Sequence, residues 1–240
     1  MLNSFLSACD ADRARRAFRK ITKHDIRNWV LTGGFAVELH SLRMGSQPSL
    51  RPLNDIDFIV ESFDHVPSSL GDDLLFRHVH PFDPPGRTLL QSIDADTALR
   101  IDVFRAYGAV MSRSCFMQLE TETVRLVSLE DLVARTARLS LDVAEDVPTP
   151  SKHVNDFLRL NTLIEPEQIE SVWPEHRKPK HPEMYADAAS LITNLVVAHP
   201  ELLVSPTYSQ NVEELCPRCV STSSFRLAPP RLMLSLLGYC

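Results

Sequence analysis

Three acidic residues and one glycine pair carry the chemistry that this sequence offers. Asp55 and Asp57 stand two apart in Asn54-Asp55-Ile56-Asp57-Phe58-Ile59-Val60. Alternate residues of a strand share a face, so the two carboxylates project together while Ile56, Phe58 and Val60 face a core. Like charges roughly 7 Å apart along one strand repel. The spacing makes sense where a divalent cation sits between them. Hard oxygen ligands suit magnesium, which is usually held by few carboxylates together with substrate phosphates. A third acid, Asp102, lies in Leu99-Arg100-Ile101-Asp102-Val103-Phe104, with Leu99, Ile101 and Val103 on one strand face and Arg100 and Asp102 on the other. Beside the first pair it would complete a three-carboxylate site for two metal ions. Gly33-Gly34 follows a short apolar run and precedes a helical pattern. Glycines there let backbone N–H groups approach a phosphate at the positive end of a helix. The order Gly-Gly-Phe-Ala-Val-Glu lacks both the spaced glycines of dinucleotide binders and the lysine of a P-loop. Taken alone, the pair is also what a tight strand-to-helix turn would use.

Together, Gly33-Gly34, Asp55-x-Asp57 and Asp102 on a later strand resemble the nucleotidyltransferase superfamily of DNA polymerase beta. More narrowly, Leu31-Thr32-Gly33-Gly34-Phe35-Ala36, with Arg51 shortly before Asp55-Ile56-Asp57, resembles the minimal and toxin-type (abortive-infection) nucleotidyltransferases. The resemblance spans residues 29–141 and continues weakly through 152–160, where Lys152 and Asp156 fall in a helix similar to one those proteins carry after the core. It implies an α+β fold, a mixed sheet flanked by helices and followed by a helical C-terminal region. It also implies transfer of a nucleoside monophosphate from a nucleoside triphosphate to an acceptor hydroxyl, with release of pyrophosphate. Asp55 and Asp57 would hold two magnesium ions. Asp102 would bind the one nearer the acceptor and help position or deprotonate the attacking hydroxyl. Gly33 and Gly34 would meet phosphates through the backbone. Arg51 would contact the triphosphate, since guanidinium suits phosphate oxygens, and Asn54 would orient the loop or the nucleotide. The acceptor is RNA, protein or a small molecule, and an antitoxin is the implied partner of a toxin-type member. Thr136 stands where toxin-type relatives often carry a nucleotide-contacting lysine, with Arg135 or Arg138 as substitutes. The alternative is a nucleotide-binding or regulatory module of the same fold without turnover.

The cysteines offer a second, smaller chemistry. Cys216-Pro217-Arg218-Cys219 has the spacing of one zinc-ribbon knuckle, and Cys240 ends the sequence. A structural zinc site needs four ligands, so His199 or a partner chain would have to supply the fourth; free thiols are the alternative. His78, His80 and Asp83 lack a full ligand set and read as a surface cluster. Five cysteines, three of them in the last 25 residues, do not make a spaced disulfide framework. They point to a reducing, cytoplasmic setting.

The elements that must position these residues follow from pattern. A helix over 3–23 has an apolar stripe of Phe5, Leu6, Ala14, Ala17, Phe18 and Ile21. Its remainder is basic and suits either solvent or a polyanion. Strands are expected at 28–31, 55–60, 88–94 and 98–107, with a further hairpin over 117–119 and 124–127. A helix is expected at 35–43, and a short helix or strand within 72–82. From Ser128 the texture changes: that serine and Asp131 make a helix start, with helices over 128–141, 151–163, 165–172 and 183–199. The segment from Ser128 holds 11 of the 17 prolines, as short helices with stiff connections would. The expected division is a core over 1–127, a helical region over 128–200 and a tail over 201–240. With 240 residues the chain can bury one sizeable core. Its formal charge of −6 argues against broad coating of nucleic acid. No apolar run approaches the roughly 20 residues of a membrane helix, and the first ten residues have neither the basic start nor the apolar stretch of a secretory signal.

Overall fold

The computed structural model describes residues 1–79, 89–145, 152–207 and 226–227. Cys216, Cys219, Cys240, His80 and Asp83 lie outside them. In chain order the elements begin with α1 (Ala8–Ile21), β1 (Trp29–Thr32), α2 (Gly33–Arg43), β2 (Asp55–Val60), α3 (Leu70–Asp73), β3 (Leu75–Val79), β4 (Leu89–Asp94) and β5 (Leu99–Arg105). They continue with α4 (Val110–Arg113), β6 (Cys115–Leu119), β7 (Glu122–Leu126), α5 (Leu129–Ala144), α6 (Lys152–Asn161), α7 (Pro166–Glu170), α8 (Trp173–His176), α9 (Tyr185–Ala198) and β8 (Arg226–Leu227). The chain forms two compact units. One takes Met1–Phe35, Leu50–Leu126 and the described chain from Thr207; the other takes Ala36–Ser49 and Val127–Pro206.

The first unit is built on one mixed sheet of eight described strands in the order β6-β7-β1-β2-β5-β4-β3-β8. The centre of that sheet matters for function. Strand β1 pairs antiparallel with β2, β2 pairs parallel with β5, and β5 pairs antiparallel with β4. Past Asp57 every residue of β2 is buried, and Ile101 and Val103 of β5 are buried as well. Continuous apolar runs of this kind mark a strand covered on both faces. An aromatic cluster lies close to the acidic strand: Phe35 meets Phe5 at 5.2 Å and Phe18 at 5.5 Å, Phe18 meets Phe58 at 6.3 Å, and Phe58 meets Trp29 at 5.2 Å. Edge-to-face contacts of this type add to area burial and anchor the first turn of α2, where Phe35 sits.

Helix α1 is shorter than its pattern predicts, because a single 3-10 turn at Leu2–Ser4 precedes it and Ser7 caps it by accepting from the Asp10 backbone N–H at 3.1 Å. Its basic face is also less free than the charge run implies. Arg13 donates to the carbonyls of Leu53, Thr97 and Ala98 and pairs with Asp10. Lys20 bridges Asp94 and Asp96, and Arg15 reaches Asn3. Three of the five cations of α1, Arg13, Arg15 and Lys20, therefore staple it to neighbouring chain.

The second unit centres on α5, with Ser128 as N-cap accepting from the Asp131 backbone N–H at 3.1 Å. Helices α6, α7, α8 and α9 all pack on α5, burying Phe157, Trp173, Tyr185 and Ile192. The helix expected over 165–172 is the shorter α7, and a further short helix, α8, follows outside that range; each has a proline in its first turn. Glu38 of α2 is fully buried in this unit and held by both terminal nitrogens of Arg159 at 2.7 and 2.8 Å. No helix of the described residues is long and apolar enough to cross a membrane.

Candidate active site

Pairing register assembles the site. Thr32 of β1 lies opposite Asp57 of β2, Asp57 opposite Asp102 of β5, and Asp102 opposite Gln91 of β4. One transverse row of polar residues therefore crosses four strands on one face of the sheet, because directly paired residues share a face. A second row, two residues away on the same face, pairs Asp55 with Arg100. The result is a two-by-two patch of Asp55, Asp57, Arg100 and Asp102. One carboxylate oxygen from each of the three aspartates lies within 4.8 Å of those of the other two. Strand alternation puts Asp55 with Asp57 and Arg100 with Asp102 on one face, and the parallel register of β2 with β5 brings Asp102 to the pair.

Helix α2 begins at Gly33, directly after β1, with no intervening residue. Gly33 takes φ +67°, in the left-handed region that favours glycine. A Cβ there would lie 1.9 Å from Asp57 Oδ2, so the absence of a side chain is what lets Asp57 occupy its place. At Gly34 a Cβ would meet the Arg51 guanidinium at 2.8–3.0 Å. Both glycines thus open the start of a helix, whose positive dipole end favours negative charge nearby. Arg51 is buried beside this turn; its backbone N–H donates to Phe5 O at 3.0 Å and its Nη1 to Gly34 O at 3.1 Å. Asn54 is partly exposed and its side-chain amide donates to Thr207 O at 2.8 Å, which ties the chain before β2 to the segment that follows the second unit in sequence.

Arg100 is a cation within the patch: its guanidinium hydrogen-bonds Asp55 Oδ2, and its Nε donates to Asp102 Oδ2 at 3.1 Å. Burial alone would push the guanidinium down, but Asp102, Asp55 and Asp57 together hold it above the usual arginine range. Asp102 is 4% exposed and Gln91 Nε2 donates to its Oδ2 at 3.4 Å. Burial pushes its carboxyl up to about 6, with Arg100 opposing and Asp55 adding to the rise. The other oxygen, Asp102 Oδ1, is buried and accepts no hydrogen bond, and Gln91 Oε1 and Thr32 Oγ1 in the same row are likewise without partners. Buried polar atoms are satisfied in the great majority of cases, so three orphans in one row mark a place prepared for a ligand. The donor set is all oxygen, with three carboxylates converging and one oxygen unspent. That fits a hard divalent cation such as magnesium.

Arg13, Arg100 and Gln91 are the residues that pattern reading did not single out for the site. Arg13 joins α1 to the loop before β2 and to the turn before β5. The signal for Arg100 was present, since it shares the face of Asp102 two residues away. Among the other expected residues, Thr136 on α5 is buried and its hydroxyl donates to Val133 O at 2.9 Å, Asp156 on α6 is buried, and Arg135 and Arg138 are partly exposed. His199 is exposed and 3.0 Å from Glu201. Cys9 and Cys115 are free thiols.

No protein-family model and no curated protein matches the chain. Solved structures do. The antibiotic-resistance factor ANT(2'')-Ia aligns with 80% of this chain and 99% of its own at 16% identity and a TM-score of 0.46; a second structure of it is a complex with adenylyl-2''-tobramycin. An antigenic nucleotidyltransferase-like protein from Paracoccidioides brasiliensis aligns with 83% of this chain and 95% of its own at 18% identity and a TM-score of 0.44. The Megavirus polyadenylate synthase aligns with 62% of this chain and 31% of its own at 12% identity and a TM-score of 0.44. Likenesses at these TM-scores assign no function to this chain; the functional reading rests on the patch itself.

Proposed function

We propose that the chain is a metal-dependent nucleotidyltransferase, which moves a nucleoside monophosphate from a triphosphate to an acceptor hydroxyl and releases pyrophosphate. The observation that carries this reading is the convergence of Asp55, Asp57 and Asp102 within 4.8 Å, beside a glycine helix start that a side chain would block. Asp55, Asp57 and Asp102 would hold magnesium, which when bound supplies charge neutralisation at the phosphoryl oxygens and a template for in-line displacement. The rest is work for the chain's own groups. The backbone at Gly33 and Gly34 leaves room for phosphate, and the α2 dipole favours it. Arg51, beside Gly34, supplies a guanidinium to the triphosphate oxygens. Asp102 Oδ1, the unspent acceptor, takes a hydrogen bond from the attacking hydroxyl and draws off its proton. Gln91 positions that carboxylate from the neighbouring strand. The protein works in a reducing compartment, where Cys9 and Cys115 stay as thiols.

The test is transfer of label from ATP, CTP, GTP and UTP, each with magnesium, into RNA, protein and aminoglycoside acceptors. Wild type should label at least one acceptor, and Asp57→Ala should lower that by about 10³-fold or more. Equal labelling by the two proteins would sink the assignment. A second reading, nucleotide binding without turnover, is favoured by Thr136: its buried hydroxyl is spent on Val133 O at the position where toxin-type nucleotidyltransferases often carry a nucleotide-contacting lysine. Calorimetric binding of a triphosphate with no pyrophosphate release in any acceptor mixture would select it.

A further inference from the structure

The patch already contains a cation, and its place has a consequence for how a metal enters. Arg100 stands directly opposite Asp55 in the β2–β5 register and two residues from Asp102 on the same face. It takes one oxygen from each, Asp55 Oδ2 and Asp102 Oδ2. These are two of the three carboxylates that would ligate a divalent ion. The three carboxylates each offer one oxygen within 4.8 Å of the others, so a guanidinium and a divalent cation held on them repel strongly in a site where Asp102 is 4% exposed. The guanidinium also covers oxygens that a metal needs, so the two modes compete for the same lone pairs. The Arg100 side chain is 18% exposed, on a long stem that can carry the charge away from the sheet. With Arg100 on Oδ2, Asp102 Oδ1 still accepts no hydrogen bond. Arg100 is therefore an incomplete substitute for the ion: it bridges Asp55 and Asp102 and leaves one buried oxygen of Asp102 without a donor.

Resting on the reading of this patch as a magnesium site, we propose that Arg100 is its resident counter-cation: it occupies Asp55 and Asp102 in the metal-free protein and is exchanged for the divalent ion. The exchange sets two effects of opposite sign. Without metal, Arg100 stabilises the patch by relieving repulsion among three acids. With metal, it competes, so removing it tightens metal binding. A residue with only a structural role would act in one direction.

The experiment uses the full chain and magnesium alone. Calorimetry on wild type, Arg100→Met and Asp57→Asn gives magnesium affinity, and thermal unfolding is followed with EDTA and with saturating magnesium. Arg100→Met should bind magnesium about tenfold more tightly, within the usual range for linked sites. It should unfold at lower temperature than wild type in EDTA and recover that loss in magnesium. The Arg100 side-chain Nε–H resonance in wild type should leave its hydrogen-bonded position in step with magnesium saturation. Unchanged or weaker binding by Arg100→Met, or a resonance that stays in place at saturation, would overturn the exchange. In that case, magnesium binding that is lost only in Asp57→Asn leaves the site reading standing. If neither wild type nor folded Arg100→Met binds magnesium, the site reading falls together with the exchange. Should Arg100→Met fail to fold, Arg100→Lys, which keeps the charge but cannot bridge two carboxylates with a planar fork, should show affinity above wild type; affinity equal to wild type overturns the proposal.

Discussion

Gly33 shows how one missing side chain can define a site. Its φ of +67° is strained for any residue with a Cβ, and that Cβ would lie 1.9 Å from Asp57 Oδ2. The two penalties are independent. A left-handed backbone costs a non-glycine residue about 1–3 kcal/mol, and the clash must in addition move Asp57, which sits in the middle of its row. Gly33→Ala should therefore destabilise the first unit by at least that amount. It should also lower transfer by about 10²-fold, the effect of displacing a reacting group by roughly 1 Å. Gly34→Ala is different in kind, since its Cβ meets the far end of a flexible Arg51 side chain. It should leave stability nearly unchanged and act on triphosphate affinity. Parallel measurement of unfolding midpoints and of KM for the triphosphate separates the two. Equal stability losses in both variants would count against this reading of Gly33.

At the scale of elements, what the sequence shows and what it hides divide along contact distance. The shared face of Asp55 and Asp57, and of Arg100 and Asp102, is set by a period of two within each strand and could be read directly. That β2 and β5 run side by side in a register that aligns Asp57 with Asp102 is a pairing across 45 residues, and no local pattern encodes it. Arg13 is similar: its charge reads as part of a solvated basic face, whereas its partners Thr97 and Ala98 are more than 80 residues away. The α2 segment carries another such surprise. Residues 35–43 read as one helix, and the observed helix runs from Gly33 to Arg43, yet the part from Ala36 belongs to the second unit. Glu38 explains that membership, because it is completely buried against Arg159 and also accepts from the Ser49 backbone N–H at 2.9 Å. Breaking a buried pair leaves an uncompensated charge and costs about 3–5 kcal/mol. Arg159→Met should cost near the lower end of that range, since Ser49 remains as a donor. Adding Glu38→Gln should restore part of the loss. A double variant no more stable than Arg159→Met in urea unfolding would show that the pair is not what holds this segment.

For the molecule as a whole, the two units should answer pH with opposite sign. In the second unit, burial pushes both His40 and His181 down from the usual histidine range. His40 spends its Nε2 on Val127 O at 2.7 Å, and His181 accepts from the Lys178 N–H at Nδ1 while its Nε2 has no hydrogen-bond partner. A histidine held neutral in the fold contributes stability that is fully present above its unfolded pKa of about 6.5 and is lost as pH falls below it. In the first unit the shift runs the other way. Asp102 is raised to about 6 from 3.8, so in the metal-free protein its contribution is largest when protonated, below about 4, and is lost as pH rises through 6. Between pH 7 and 5.5, in EDTA, the second unit should therefore lose stability while the first gains. The molecule carries its own reporters. Trp29 lies in the first unit, and Trp173 lies in the second, stacked 6.4 Å from His181. Variants that keep only one of them, Trp173→Phe or Trp29→Phe, read the units separately. The Trp173 midpoint should fall over that pH interval, and the Trp29 midpoint should hold or rise. Saturating magnesium should reverse the slope at Trp29, because a metal ligand must be deprotonated and acid would then work against the bound state. A Trp29 midpoint with the same slope in EDTA and in magnesium would mean that Asp102 does not change its charge on binding metal, and the three-carboxylate site would lose its third member.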